Sequence, residues 1–165
     1  AIQLECGRLP PQAPHRLRLG LARSGRFDVI VQPLIGLPDG PVALRLEPVP
    51  LPAARPLASH KTTLRAEYDA GLRAAEDVGA FDSLFFTPDG RLVEGGRSNV
   101  FVQLGGRWFT PPLADGALPG VMRAVLLDDP AWAAAERSLT RDDLQRAEAI
   151  VVCNALRGAL PARLT

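Results

Sequence analysis

The chain has 165 residues, of which 47% are apolar and 22% charged, a composition typical of one soluble globular domain with room for a small second unit. Its formal net charge of +1 argues against a nucleic-acid partner, because such a partner requires a clustered basic face. No apolar run approaches the ~20 residues of a membrane span and no signal peptide is visible, so we expect a cytoplasmic protein without membrane contact.

The first predicted element is a β-hairpin. Residues 15–22 and 27–34 alternate or run apolar, and 23-RSGR-26 supplies the turn between them. Residues 41–50 could add a third strand. The segment before the hairpin, 1-AIQLECGRL, lacks an initial Met and reads as the middle of a helix, so we expect that upstream material is missing.

A proline-rich segment follows. Residues 47–57 contain Pro48, Pro50, Pro52 and Pro56, and prolines at this density exclude both a helix and a central strand. We therefore predict a linker over 47–57, which separates a first unit of residues 1–46 from a second unit of residues 58–165.

The second unit begins with a predicted helix. Thr62 or Thr63 can cap it, Gly79 ends it, and Leu64, Tyr68, Leu72 and Ala75 share one face. Predicted strands and two short helices complete the unit: strands at 82–87, 91–94, 99–104, 107–110 and 149–156, and helices at about 121–127 and, capped by Thr140, at 141–147. The predicted class is α+β, with one long helix on a mostly antiparallel sheet.

Lys61 is the first candidate for chemistry, because the chain contains eighteen arginines but only this lysine. A guanidinium stays protonated, whereas an ammonium can lose its proton and attack a carbonyl group. Lys61 could therefore form a Schiff base. A genome biased toward Arg codons would also leave few lysines, and this alternative stays open.

Three further features lie at turns and strand ends. Glu94 ends a strand before 95-GGRSN-99, Gly120 precedes a helix whose free N–H groups could bind an anion, and Asn154 follows an apolar strand. Each also has an ordinary interpretation, as a solvated carboxylate, a turn and a local cap. Together, an amine, a carboxylate and an anion site are what pyridoxal 5′-phosphate (PLP) requires. A metal site is not expected, because Cys6 and Cys153 are far apart and histidines are few.

The stretches 60-HKTTLRAEYDAGL-72, 89-DGRLVEGGRSNVFV-102 and 109-FTPPLADGALPGVMR-123 resemble the fold-type IV PLP enzymes, the class IV aminotransferase family. Within that family, 60-HKTT-63 and 151-VVCNALRGALP-161 look most like aminodeoxychorismate lyase, in particular the lyase-like domains fused behind a para-aminobenzoate synthase component. The similarity covers roughly residues 15–161. It implies a D-amino-acid aminotransferase-like fold, in which residues 58–165 are the large PLP-binding domain and residues 1–46 are the remnant of a truncated small N-terminal α/β domain.

The resemblance also assigns roles to residues. Lys61 matches the Schiff-base lysine and Glu94 the carboxylate that faces the pyridine nitrogen. The other matched positions are the phosphate-binding helix start, Val121 and Met122, the last-strand segment near phosphate and substrate, Asn154 and Ala155, and two positions near the substrate, Arg65 and Tyr68. The family's phosphate-binding Arg in the small domain has no counterpart in this chain.

The activity that the resemblance implies is the conversion of 4-amino-4-deoxychorismate to 4-aminobenzoate and pyruvate in the folate pathway. Transaminases usually carry a Tyr close behind the lysine, where this chain has Ala66 and Glu67. An aminotransferase for branched-chain or D-amino acids is the alternative within the family, and a catalytically incomplete fragment or assembly domain of a para-aminobenzoate synthase is the alternative outside it. Expected partners are a small-molecule substrate, a second copy in a homodimer, and a synthase component in the same or another chain.

Overall fold

The computed structural model describes residues 7, 9, 13–37, 39–53 and 55–165. The chain divides into two compact units, Ala1–Asp39 and Gly40–Thr165. The predicted helical character of the first residues lies outside the described part of the chain.

The first unit contains the predicted hairpin. Strands β1 (His15–Leu21) and β2 (Phe27–Pro33) pair antiparallel, with Leu21 opposite Phe27 next to the turn. Gly25 has φ +83°, a conformation that a side chain disfavours, and its N–H donates to the Ala22 carbonyl. The hairpin prediction is confirmed.

The second unit is built on a sheet of eight strands in the order β5-β4-β3-β10-β9-β6-β7-β8. Antiparallel pairings predominate, and β3 pairs in parallel with both β4 and β10, as β7 does with β8. The strands are β3 (Val42–Leu46), β4 (Asp82–Phe86), β5 (Leu92–Gly95), β6 (Asn99–Leu104), β7 (Arg107–Thr110), β8 (Ala135–Glu136), β9 (Ala149–Asn154) and β10 (Gly158–Leu164).

Three helices accompany this sheet: α1 (Ala66–Asp77), α2 (Val121–Asp128) and α3 (Arg141–Gln145). A capping box starts α3, because Thr140 accepts from the Asp143 N–H while the Asp143 carboxylate accepts from the Thr140 N–H. The cap predicted at Thr140 is therefore confirmed. Among the residues described, no helix is long and apolar enough to cross a membrane.

The predicted unit boundary needs correction. Strand β3 lies within the predicted first unit, yet it is hydrogen-bonded between β4 and β10 of the large sheet. The proline-rich segment 47–57 also belongs to the second unit, since Leu51 is buried and its N–H donates to the Phe86 carbonyl at 2.8 Å. Prolines at this density exclude regular strand pairing, but they do not prevent the segment from packing against the sheet.

The start of the long helix also differs from the prediction. Helix α1 begins at Ala66, and neither Thr62 nor Thr63 caps it; Thr62 Oγ1 instead accepts from the Leu64 N–H at 3.2 Å. This short turn leaves the Leu64 side chain 80% exposed, not on the buried face. The C-terminus agrees with the prediction, because the Gly79 and Ala80 N–H groups bond to the Glu76 and Ala75 carbonyls, as in a Schellman motif.

Candidate active site

Glu94 is the centre of the candidate site. Its side chain lies at the end of β5, in a residue only 7% exposed. One carboxylate oxygen, Oε1, accepts from the Tyr68 hydroxyl at 2.8 Å. The other, Oε2, accepts from the Leu118 N–H at 2.9 Å and from Asn99 Nδ2 at 3.3 Å. A buried carboxylate with donors from three different segments has a fixed position.

The charge of Glu94 is set by opposing effects. Burial raises the pKa of the Glu94 carboxyl above its ordinary value, because a charged group loses its hydration. The hydrogen bonds from Leu118 and Tyr68, and the positive charges of Arg55 and Lys61, act in the opposite direction. The surrounding groups therefore favour the ionised form that burial disfavours.

Lys61 is exposed in the structure. A lysine directed into solvent would by itself argue against the Schiff-base hypothesis. However, the Lys61 charge lowers the pKa of Glu94, so the ammonium lies close enough to interact with the buried carboxylate. Lys61 thus acts on the charge of Glu94 from an exposed position.

A second buried carboxylate, Asp82, explains the sequence EGGRSN. Asp82 is fully buried at the start of β4, and its Oδ1 accepts from the N–H groups of Ser83 (2.9 Å) and Gly96 (2.8 Å). Its Oδ2 accepts from the Arg97 N–H (3.2 Å) and the Ser98 hydroxyl (2.6 Å). Residues 96–98 therefore wrap around Asp82, and this turn joins the strand of Glu94 to that of Asn99.

Both glycines of this turn are required by close packing. A Cβ at Gly95 would collide with the Asp82 carboxylate, and one at Gly96 would lie 2.7 Å from Leu72 Cγ. Burial raises the pKa of Asp82, whereas the hydrogen bonds from Ser98 and from the Arg97 backbone lower it. Asp82 was not predicted as a site residue, although an acidic residue that opens the predicted strand 82-DSLFFT-87 could have indicated it.

The start of α2 is linked to Glu94 through Asn99. Gly120 is the N-cap residue and no side chain caps the helix, so the first turn retains unpaired N–H groups at its positive end. Asn99 Nδ2 donates to the Leu118 carbonyl at 2.9 Å as well as to Glu94, and a Cβ at Gly120 would collide with Asn99 Oδ1. Val121, which is 71% exposed, and Met122 are the first two residues of this helix.

Arg65 and Tyr68 flank Glu94 from the side of α1. Tyr68 donates to the carboxylate itself, as described above. Arg65 donates from Nη2 to the Gly96 carbonyl and from Nε to Asp69 Oδ1 at 3.0 Å, which ties the helix start to the turn after Glu94. Tyr68 therefore binds the Glu94 carboxylate directly, whereas Arg65 binds the backbone of the turn that follows it.

Asn154, the last residue of β9, binds the turn at residues 96–98. Its Oδ1 accepts from the N–H groups of Leu156 (3.0 Å) and Arg157 (2.9 Å), and its Nδ2 donates to the Arg97 carbonyl at 3.2 Å. These bonds close the connection between β9 and β10, which is the local role considered as an alternative. Ala155 is exposed within this connection.

Arg55 was not predicted as a site residue. Its Nη2 donates to the Tyr68 hydroxyl, and its guanidinium lies 5.3 Å from the centroid of the Tyr68 ring. No local pattern indicates this role, because Arg55 stands in the proline-rich segment predicted as a linker.

Comparison with known proteins identifies the family. The family described as amino-transferase class IV matches residues 8–164, so the chain belongs to this family, whose enzymes are PLP-dependent. A curated relative from Schizosaccharomyces pombe (strain 972), named "Putative aminodeoxychorismate lyase", is 30% identical over 151 residues, which are 86% of this chain and 63% of that protein. The chain thus spans less than two thirds of the length of this relative.

Solved structures agree with the family. A "Putative amino-acid aminotransferase" from Mesorhizobium loti is 38% identical, with a TM-score of 0.83, over 92% of this chain and 73% of that one. A "Putative 4-amino-4-deoxychorismate lyase" from Legionella pneumophila subsp. pneumophila (strain Philadelphia 1) is 30% identical, with a TM-score of 0.74, over 88% and 56% of the two chains. The predicted fold-type IV architecture is confirmed.

The residues present fit such a coenzyme. PLP offers an aldehyde, a ring nitrogen and a phosphate, whose natural partners are an amine, a carboxylate and backbone N–H groups. Lys61, Glu94 and the uncapped start of α2 supply these three groups, and Asn99 joins the last two.

Proposed function

We propose that this chain forms the PLP-binding part of an aminodeoxychorismate lyase, which converts 4-amino-4-deoxychorismate to 4-aminobenzoate and pyruvate. The observation that carries the proposal is the buried Glu94, hydrogen-bonded through Asn99 to the turn before α2 and within the field of Lys61. The names of the fission yeast and Legionella relatives support the choice of the lyase reaction.

In this proposal each group of the coenzyme has a partner. Lys61 would hold the aldehyde covalently, Glu94 would bind the ring nitrogen, and the N–H groups of Val121 and Met122 would bind the phosphate. Asn154 and Ala155 would lie near the phosphate and substrate, with Arg65 and Tyr68 on the opposite side of Glu94's turn. When bound, the coenzyme supplies an electron sink for the bonds at the substrate's amine-bearing carbon.

Lys61 has the second role of proton carrier. Once its amine is free and neutral, it can accept the proton from the amine-bearing carbon and return a proton to the departing three-carbon group. The products balance the substrate, since loss of pyruvate from 4-amino-4-deoxychorismate leaves the aromatic 4-aminobenzoate. Glu94, kept ionised, favours a protonated ring nitrogen on its coenzyme partner.

An aminotransferase is the second candidate within the family. The 38% identity to the aminotransferase-named Mesorhizobium protein favours it. Against it stands the chain's single tyrosine, Tyr68, whose hydroxyl is engaged by Glu94 and Arg55, so no tyrosine hydroxyl close behind Lys61 is left for a transaminase role.

Assembly is the remaining part of the proposal. We expect a homodimer, and a para-aminobenzoate synthase component in the same or another chain, with the first unit, Ala1–Asp39, as the remnant of the small domain. A chain that serves only assembly with a synthase is the candidate of another class, and it requires no coenzyme.

Product analysis tests these proposals. The 165-residue protein is incubated with PLP and 4-amino-4-deoxychorismate, and pyruvate is measured with lactate dehydrogenase while 4-aminobenzoate is measured by fluorescence. Equal amounts of both products, absent with Lys61→Ala, support the lyase. Glutamate-dependent exchange of keto acids without pyruvate release would replace the lyase by the aminotransferase. A protein that retains no PLP absorbance after the free coenzyme is removed by gel filtration would leave only the incomplete fragment or assembly domain.

A further inference from the structure

We propose that Arg55 and Tyr68 act as positioning residues for Glu94: Arg55 binds the Tyr68 hydroxyl so that its proton can only be donated to the carboxylate, which holds Glu94 in place and ionised. The inference rests on the proposed function insofar as Glu94 serves the coenzyme. It assigns a role to a segment, residues 47–57, that the sequence alone presents as a linker.

The direction of these hydrogen bonds follows from chemistry. A guanidinium only donates, and an ionised carboxylate only accepts, so the hydroxyl between them must accept from Arg55 and donate to Glu94. If Glu94 carried a proton and donated it to Tyr68, the Tyr68 proton would have to point at the donors of Arg55. The arrangement therefore matches the ionised form of Glu94 and opposes the protonated form.

The Tyr68 hydroxyl, which lies between Arg55 and Glu94, stays protonated. Burial, and next the negative charge of Glu94, raise the pKa of Tyr68 well above its ordinary value. This shift favours the protonated form of Tyr68, so the hydroxyl serves as a hydrogen-bond donor rather than as a second negative charge beside Glu94.

Tyr68 and Arg55 are held in place by contacts with different parts of the second unit. The Tyr68 ring on α1 packs edge-on against Phe85, with centroids 4.7 Å apart. Gly116, with φ +95°, leaves room for the Arg55 guanidinium, since a Cβ there would lie 3.1 Å from Arg55 Nη1. These contacts fix the positions from which both residues act on Glu94.

Other groups also act on Glu94. The positive charge of Lys61 lowers its pKa, as does the Leu118 N–H, and Asn99 donates from β6. Arg65 lies 5.4 Å from the Tyr68 ring centroid and binds the turn after Glu94. Arg55 differs from these groups because it orients the proton of Tyr68.

The test measures stability against pH without coenzyme. Urea unfolding of the 165-residue protein is followed between pH 4 and pH 8 for wild type, Tyr68→Phe and Arg55→Gln. The exposed Arg73 on α1 supplies the matched control Arg73→Gln, which removes the same charge. Tyr68→Phe keeps the ring and removes only the hydroxyl, so it should preserve the fold.

The sign follows from burial. Because the folded-state pKa of Glu94 is raised, stability falls as pH rises through that pKa. Loss of the hydrogen bond from Arg55 to Tyr68, or of the one from Tyr68 to Glu94, should raise the pKa of Glu94 further. For each variant we compare the unfolding equilibrium constant with that of wild type. We expect this ratio to be roughly tenfold larger at pH 8 than at pH 4, which is about the value of one hydrogen bond to a charged group. Arg73→Gln should show no such difference, and in a Glu94→Gln background the pH-dependent part should vanish.

An effect that is equal at both pH values, or that persists with Glu94→Gln, would overturn the proposal and reduce Arg55 and Tyr68 to packing residues. This outcome can be separated from failure of the proposed function, because covalent trapping of PLP at Lys61 does not depend on it.

Discussion

Replacement of Asp82 by Asn tests the claim that a buried carboxylate organises the turn behind Glu94. Asp82 accepts four hydrogen bonds, two on each oxygen, and three of the four donors are backbone N–H groups. The amide of an asparagine keeps one acceptor oxygen for one pair of donors. Its NH2 group faces the other pair, and there a donor meets donors.

The best orientation of the new amide places its NH2 group toward Ser98. The Ser98 hydroxyl can turn to accept, so only the Arg97 N–H loses its acceptor, at a cost of about 1–3 kcal/mol. The bonds that remain lose their charge assistance, whereas the neutral amide avoids the burial of a charge. We therefore expect Asp82→Asn to lower the free energy of unfolding by about 2 kcal/mol. Asp82→Ala, which leaves every donor unpaired, should cost about 4 kcal/mol or more.

Urea denaturation provides the assay, because Trp108 and Trp132 both lie in the second unit and pack 5.0 Å apart. The exposed Asp77 of α1 gives the matched control Asp77→Asn, expected within about 0.5 kcal/mol of wild type. If Asp82→Asn were as stable as this control, the role assigned to Asp82 would be refuted.

Three further predictions follow from burial and close packing. Without coenzyme, Glu94→Gln should gain stability relative to wild type as pH rises from 4 to 8, since it removes a carboxyl whose pKa burial raises; a parallel pair of stability curves would contradict this. Gly120→Ala should displace the Asn99 amide and weaken PLP binding roughly tenfold or more in an absorbance titration, equivalent to about one lost hydrogen bond. Burial raises the pKa of the Cys153 thiol to about 12, so in a Cys6→Ser variant Ellman's reagent should react only after addition of urea, and rapid reaction in buffer would be inconsistent with this burial.

The parts of the candidate site that could be predicted are those with a recognisable pattern in a short stretch of sequence. A unique lysine, a carboxylate before a pair of glycines and a glycine before a helix are visible in short stretches, and the structure connects the last two through Asn99. Arg55 and Asp82 were missed because their roles depend on partners distant in sequence, Tyr68 and the turn at 96–98.

Strand β10 shows a similar limit in the fold. Pro161 interrupts its pattern, and proline is rare in central strands because it lacks an N–H. The structure accommodates it because pairing with β3 begins only at Ala162, so Pro161 pairs with β9 alone. Only the staggered pairing of β10 with its two neighbours, which the sequence does not reveal, makes this strand possible.

The proposed covalent bond between Lys61 and the coenzyme can be detected by reductive trapping. The protein is mixed with PLP, reduced with borohydride, digested and mapped by mass spectrometry; with one lysine, the α-amino group at the chain start is the only other primary amine of the sequence. We expect a phosphopyridoxyl adduct on Lys61, absent from Lys61→Arg. Labelling of the terminal amine alone, with Lys61 unmodified, would contradict it.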